Sequence, residues 1–168
     1  GRVRVVRVIG QGTAAVAGQS TAGLIDDLTD GRLDVRAITA TELSGFHLKA
    51  DMSDTLVIAV SQSGTTTDTN RTVDLARSRG ASVVAIVNRR NSDLTDKADG
   101  VLYTSDGRDV EMSVASTKAF YAQVAAGALL ACAISHAAGL GSDRRRDEVL
   151  RSLRELPAAM RTVISRRS

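Results

Sequence analysis

Aromatic side chains are nearly absent from this chain: two Phe, two Tyr and no Trp, 2% of 168 residues. A core must then be built from Ala, Val, Leu and Ile, and the scarcity argues against the aromatic platforms on which single-stranded nucleic acid stacks. Cysteine occurs once, at Cys132, so no internal disulfide can form. With no CxxC pair and only two His, no metal site or cofactor is expected. Cys132 is expected to be a small buried apolar residue, in keeping with a reducing, cytoplasmic setting. Proline also occurs once, at Pro157, inside an otherwise helical pattern where it is expected to interrupt the helix. No signal-peptide pattern opens the sequence. The most apolar run, Ala119 to Leu140, is mostly alanine and contains Gln123, Ser135 and His136. It reads as a helix buried in protein, so no membrane partner is expected.

What is present is a regular alternation. Apolar, β-branched segments at 3–10, 33–39, 54–60, 82–88 and 99–104 read as strands. Between and after them, 13–30, 66–80, 116–139 and 143–165 read as helices, the first two ended by Gly31 and Gly80. Strands separated by helices imply a five-stranded parallel sheet covered on both faces, a doubly wound three-layer α/β/α fold in one domain. The net charge of +3 is uneven: residues 142–168 hold eight Arg against four acidic residues. Because Asp143, Asp147, Glu148 and Glu155 interleave with the arginines, this stretch is expected to be a solvated helix face, not a nucleic-acid surface.

In such sheets ligands bind beyond the carboxyl ends of the strands, where each strand turns into a helix. The third strand runs into SQSGTTT (61–67), five hydroxyls and a glycine with no cation. Two readings stand: a turn that merely caps the next helix, or a neutral anion site built from hydroxyls and helix N–H groups. Gly64 would let backbone approach the anion. A nucleoside triphosphate loop needs a lysine, so the anion reading favours a single phosphate monoester. The first turn, GQGTAA (10–15), formally matches the dinucleotide fingerprint. Strand two, however, lacks the terminal carboxylate that a ribose needs, and none follows until Glu42. The other reading is that Thr13 faces the same pocket as Ser61. A third segment, GRDVEMSVASTKAF (107–120), offers Ser116 and Thr117 as helix caps. It also places Lys118 where a cation opposes the helix dipole, or simply meets solvent. His47, in a polar loop, and His136, on the alanine-rich helix, come with no nucleophile at recognisable spacing.

Two of these segments together resemble the sugar isomerase (SIS) family. SQSGTTTDT is similar to its phosphosugar loop S-Q-S-G-E-T-x-D-T. EMSVASTKAF is similar to E-I-G-V-A-S-T-K-A-F in the isomerase half of glucosamine-6-phosphate synthases, and GQGTAA to the family's x-G-T-S turn. The resemblance implies a flavodoxin-like SIS fold that binds a sugar phosphate of the fructose 6-phosphate or glucosamine 6-phosphate class. It implies phosphate contacts from Ser61, Gln62, Ser63 and Thr66, approach by Thr13, and a sugar side lined by Val114 (through its backbone) and Ser116, with Glu111 bracing the loop. Ala14 stands where the family has serine and Thr65 where it has glutamate; both changes bear on which sugar is held. The segment around Glu42 and Phe46 matches only loosely.

The resemblance also implies an isomerase unit that pairs two such domains and keeps its ring-opening and proton-transfer residues in the second domain and the C-terminal tail. This chain is therefore expected to be one SIS domain of a longer enzyme, without catalytic residues of its own, forming a homodimer and packing against a second SIS domain. The rival reading is a sugar-phosphate sensor attached to a transcription regulator. A weaker one is a stand-alone isomerase, for which only Glu42, Glu111, His47 and His136 are available as acid and base.

Overall fold

The computed structural model describes residues 3–105 and 117–166, with the backbone alone at Thr117. Five strands form one parallel sheet in the order β2-β1-β3-β4-β5: β1 Val5–Gly10, β2 Asp34–Thr39, β3 Thr55–Ser61, β4 Ser82–Val87 and β5 Gly100–Tyr103. This is the doubly wound, flavodoxin-like arrangement expected from the alternation. The central strands are buried along their length because helices cover both faces.

Alternate side chains divide the core in two. Val6, Val8, Ile58, Val60 and Ile86 face helix α1 (Thr13–Leu28) and, through it and directly, α5 (Thr117–Ala138). Ile9, Val57, Ala59, Val83 and Ala85 face the other way. That face is covered by α2 (Ala40–Glu42) with the π-helical turn Leu43–His47 that continues it, α3 (Thr67–Arg77) and the short α4 (Asp93–Lys97). Each face is thus closed by the period-2 alternation of the strands meeting the apolar stripe of its helices. Cys132 lies in the first core, 6% exposed, and burial pushes its thiol above the ordinary value while Arg146 partly opposes this.

The winding positions a crevice. β1 and β3 are neighbours, with Ile9 opposite Ala59, yet α1 leaves to one face and α3 to the other. Their carboxyl ends therefore splay apart, which is the topological switch point where such sheets bind ligands. Helix α5 is long and apolar enough, by length and composition, to cross a membrane over Lys118–Ala138. In this fold it packs along α1, so closely that a Cβ on Gly127 would lie 2.0 Å from Thr21 Oγ1. Its first turns reach the switch point.

Three expectations change. Helix α6 (Asp143–Ser165) runs through Pro157 without interruption. Proline removes one backbone donor and frees the carbonyl one turn earlier, but this helix has no buried residue, so water can satisfy that carbonyl. His47 ends the π-helical turn, 3.6 Å from Glu42 Oε1, not a polar loop. That turn and α4 were both unforeseen. Each has a local signal: Thr39 caps the Glu42 N–H at 3.3 Å in a T-x-x-E pattern, and Ser92 with Thr95 forms a capping box.

The arginines of α6 interleave with carboxylates as expected. Arg145 bridges to Glu148 at 3.3 Å and to Asp27 of α1 at 3.2 Å, and Arg146 pairs with Asp143. The Arg146 guanidinium also donates to Ser135 Oγ at 2.9 Å and to the Leu140 carbonyl at 2.8 Å, pinning the start of α6 to α5. Farther along, Leu156, Met160, Val163 and Ile164 are all exposed.

Candidate functional site

At the switch point lies a cleft of about 240 Å³ with three walls. The β1–α1 turn supplies Gln11, Thr13 and Ala14. The β3–α3 turn supplies Ser61, Gln62, Ser63 and Thr66, and the first turns of α5 supply Ala119, Phe120 and Gln123. Thr13 and the four residues of the hydroxyl-rich turn named from the sequence therefore share one cavity. Val114, Ser116 and Glu111 lie outside the described residues.

The β3–α3 turn is held from several directions. Ser61, buried at the end of β3, accepts the Gly64 N–H on Oγ at 3.0 Å. Ser63 Oγ accepts the Thr65 N–H at 3.2 Å and the Thr65 hydroxyl at 3.0 Å. The Gln62 carbonyl accepts the N–H groups of Asn88 and Arg89, both at 3.2 Å. The Gly64 carbonyl accepts the Leu94 N–H at 3.1 Å and the Asn70 side-chain amide at 3.0 Å, and the same amide reaches the Thr66 carbonyl at 3.1 Å. The turn is thus tied to the segment after β4, to α4 and to α3.

Two sequence expectations are revised here. Gly64 is buried with φ +67°, and a Cβ there would lie 2.0 Å from Ser92 Oγ. Its smallness makes room for the cap of α4, not for a ligand. Thr66 occupies the cap position of α3 but makes no side-chain capping bond. Its hydroxyl and the first N–H groups of α3 stay available.

The donor balance follows from these bonds. A hydroxyl has one proton to give and two lone-pair positions to receive. In Ser63 both receiving positions are filled from within the turn, and in Ser61 one is filled. What each has left for the cleft is chiefly its O–H donor. The cleft therefore presents oriented donors from Ser61 and Ser63, hydroxyls from Thr66 and Thr13, and two helix N-termini. Helix α1 also starts without a side-chain cap, at Gly12. This arrangement suits an acceptor-only guest, an anion.

No Asp, Glu, His, Lys or Arg lines the cleft among the described residues. The displaced titrations lie elsewhere. The Arg7 hydrogen bond holds Asp34 below the usual carboxylate range, the Val83 N–H and then Arg77 hold Asp99 low, and the Ser53 N–H holds Asp51 low. Glu42 and His47 pair with each other, and His136 is exposed on α5. Lys118 is exposed in the first turn of α5 and is not part of the lining. The arrangement can hold and orient an anion, and its described lining offers no carboxylate, imidazole or amine to act as acid or base.

Sequence reasoning missed Gln11, Phe120 and Gln123 as lining. Gln123 had a signal, being a lone amide in an apolar helix three residues beyond Phe120, one turn on from the VASTKAF segment.

The family described as SIS domain matches residues 4–133. Glutamine–fructose-6-phosphate aminotransferase (isomerizing) of Corynebacterium efficiens is 43% identical over 163 residues, covering 94% of this chain and 24% of that protein. The enzyme of the same name from Thermus thermophilus is 36% identical over 162 residues, covering 96% and 26%. Among solved structures, the C-terminal domain of glucosamine-fructose-6-phosphate aminotransferase from Francisella tularensis superposes with a TM-score of 0.82 at 25% identity. It covers 93% of this chain and 43% of that one. The chain thus spans about a quarter of the length of these curated relatives.

Proposed function

The chain belongs to the SIS-domain family, and from that premise we propose that it is the phosphosugar-binding unit of an enzyme of the glutamine–fructose-6-phosphate aminotransferase type. Its task is to hold the phosphate of fructose 6-phosphate, or of a related ketose phosphate. The carbonyl end of the sugar then points toward acid and base groups contributed by another SIS domain. The observation that carries this reading is the donor-rich corner, in which Ser63 has both of its receiving positions, and Ser61 one of two, occupied from within the turn.

Four neutral donors at ~1 kcal/mol each and a helix terminus at ~0.5 kcal/mol give a dissociation constant on the order of 10⁻⁴ to 10⁻³ M. Asp68, exposed in the first turn of α3, opposes an anion at that helix end. The identity of the relatives over nearly the whole chain supports the enzyme reading over the sensor. The single buried thiol supports a cytoplasmic setting. The exposed apolar side chains of α6 support pairing with a second SIS domain.

Calorimetric titration of the 168-residue chain tests the reading. Fructose 6-phosphate and inorganic phosphate bind, free fructose does not, and no ketose-to-aldose conversion accompanies binding. Free fructose binding as tightly as its phosphate, or turnover by the isolated chain, would sink it.

A further inference from the structure

The cleft has a second chemical character. Gln123 is 3% exposed, lies in its lining on α5, and its amide makes no hydrogen bond to a protein group among the described residues. The buried side-chain polar atoms left without a partner among the described residues are Thr69 Oγ1 and Asn70 Oδ1, so the Gln123 amide is not sealed off: it opens onto the cleft, where a ligand can pair with it. A phosphate dianion is a poor match, since it uses only the N–H side of the amide and meets the carbonyl oxygen with repulsion. A sugar hydroxyl both gives and receives, as the amide does. On the facing wall, Gln11 donates from Nε2 to Thr41 Oγ1 at 3.3 Å, which leaves its carbonyl oxygen to receive.

We propose that Gln123 is the residue that reads the sugar: its amide binds hydroxyls of the carbon chain, while the serine and threonine corner across the cleft takes the phosphate. The proposal rests on the phosphosugar reading above and adds a division of labour within it. Phe120, three residues earlier on the same helix face, gives the carbon chain an apolar surface to lie against. Gln123 is a specificity-determining residue and moves no proton.

The test compares fructose 6-phosphate with inorganic phosphate on the wild-type chain, Gln123→Leu and Gln123→Glu. In the wild type, fructose 6-phosphate binds more tightly than phosphate. Gln123→Leu weakens fructose 6-phosphate about 5–10-fold, the loss of roughly one hydrogen bond, and leaves phosphate within about twofold. Gln123→Glu, which keeps a receiving oxygen, retains part of the sugar preference. The Glu variant also carries the test if the Leu variant does not fold. The proposal is overturned if the wild type shows no preference for the sugar phosphate. It is equally overturned if the substitutions weaken both ligands alike, or leave both unchanged. A wild-type chain that binds neither ligand fails the phosphosugar reading itself, a result distinct from loss of the preference alone.

Discussion

Two turns meet in the cleft and are built in opposite ways. The β1–α1 turn is sparse: Gly12 has φ +57° with open space around it, and Thr13 makes no side-chain bond to the protein among the described residues. The β3–α3 turn is braced throughout. Its serines are bonded within the turn, and its carbonyls are held by Asn70, Leu94, Asn88 and Arg89. Bracing matters because a donor already fixed in place need not be ordered when the ligand arrives. The first turn contributes a loose hydroxyl and a helix terminus; the third contributes hydroxyl donors already fixed in place.

The largest contrast is expected at the two glycines. Gly64→Ala meets Ser92 and a positive φ at once, and should destabilise the fold by about 3 kcal/mol or more. Gly12→Ala has open space for its Cβ but must hold φ +57° with ψ −130°, a combination that L side chains rarely adopt, and should cost about 1–2 kcal/mol through backbone strain alone. Urea unfolding of both variants checks this, and equal midpoints would mean that the third turn is no more constrained than the first.

Next comes the ligand. Ser63→Ala should weaken fructose 6-phosphate about tenfold and Thr13→Ala about threefold, because only the serine is oriented before binding. Calorimetry reads both; a larger loss at Thr13 would reverse the assignment of roles.

Asn70→Ala should come third. It removes the brace on the Gly64 and Thr66 carbonyls, costing about 1–2 kcal/mol of stability, and weakens the ligand a fewfold without touching it. Unchanged affinity in a folded Asn70→Ala protein would show that bracing adds nothing to binding.

The smallest effects concern pH. With no titratable side chain in the described lining, affinity should be flat from neutral to mildly alkaline pH. It should fall below a pH of about 6 as the phosphate monoester takes up its second proton. Stability responds at another place and another pH. Asp99 is held below its ordinary range when folded, so its contribution is present at neutral pH and lost as pH falls through the folded-state value. Its side chain is 48% exposed, which screens the Arg77 pair, so Asp99→Asn should cost about 1 kcal/mol or less at neutral pH. Thermal melts should show that difference vanish in acid; a difference that persists there would assign the cost to packing.

The alternation of strands and helices was legible in the amino-acid order. Period-2 and period-3.6 patterns are short-range, and strand ends were placed to within a residue or two. The hydroxyl turn was legible too, because its residues are contiguous. What required the folded chain is long-range: that β1 and β3 lie side by side while their helices leave on opposite faces, and that α5 returns to close the cleft with Gln123. The meaning of Gly64 also depended on Ser92, 28 positions away along the chain. Pro157 stayed within its helix because that helix lies exposed to water, a property of packing and not of proline. Local hydrogen-bond preferences are written residue by residue. Which donors are left unpaired, and therefore what the cleft can hold, depends on partners that only folding brings within 3 Å or so of one another.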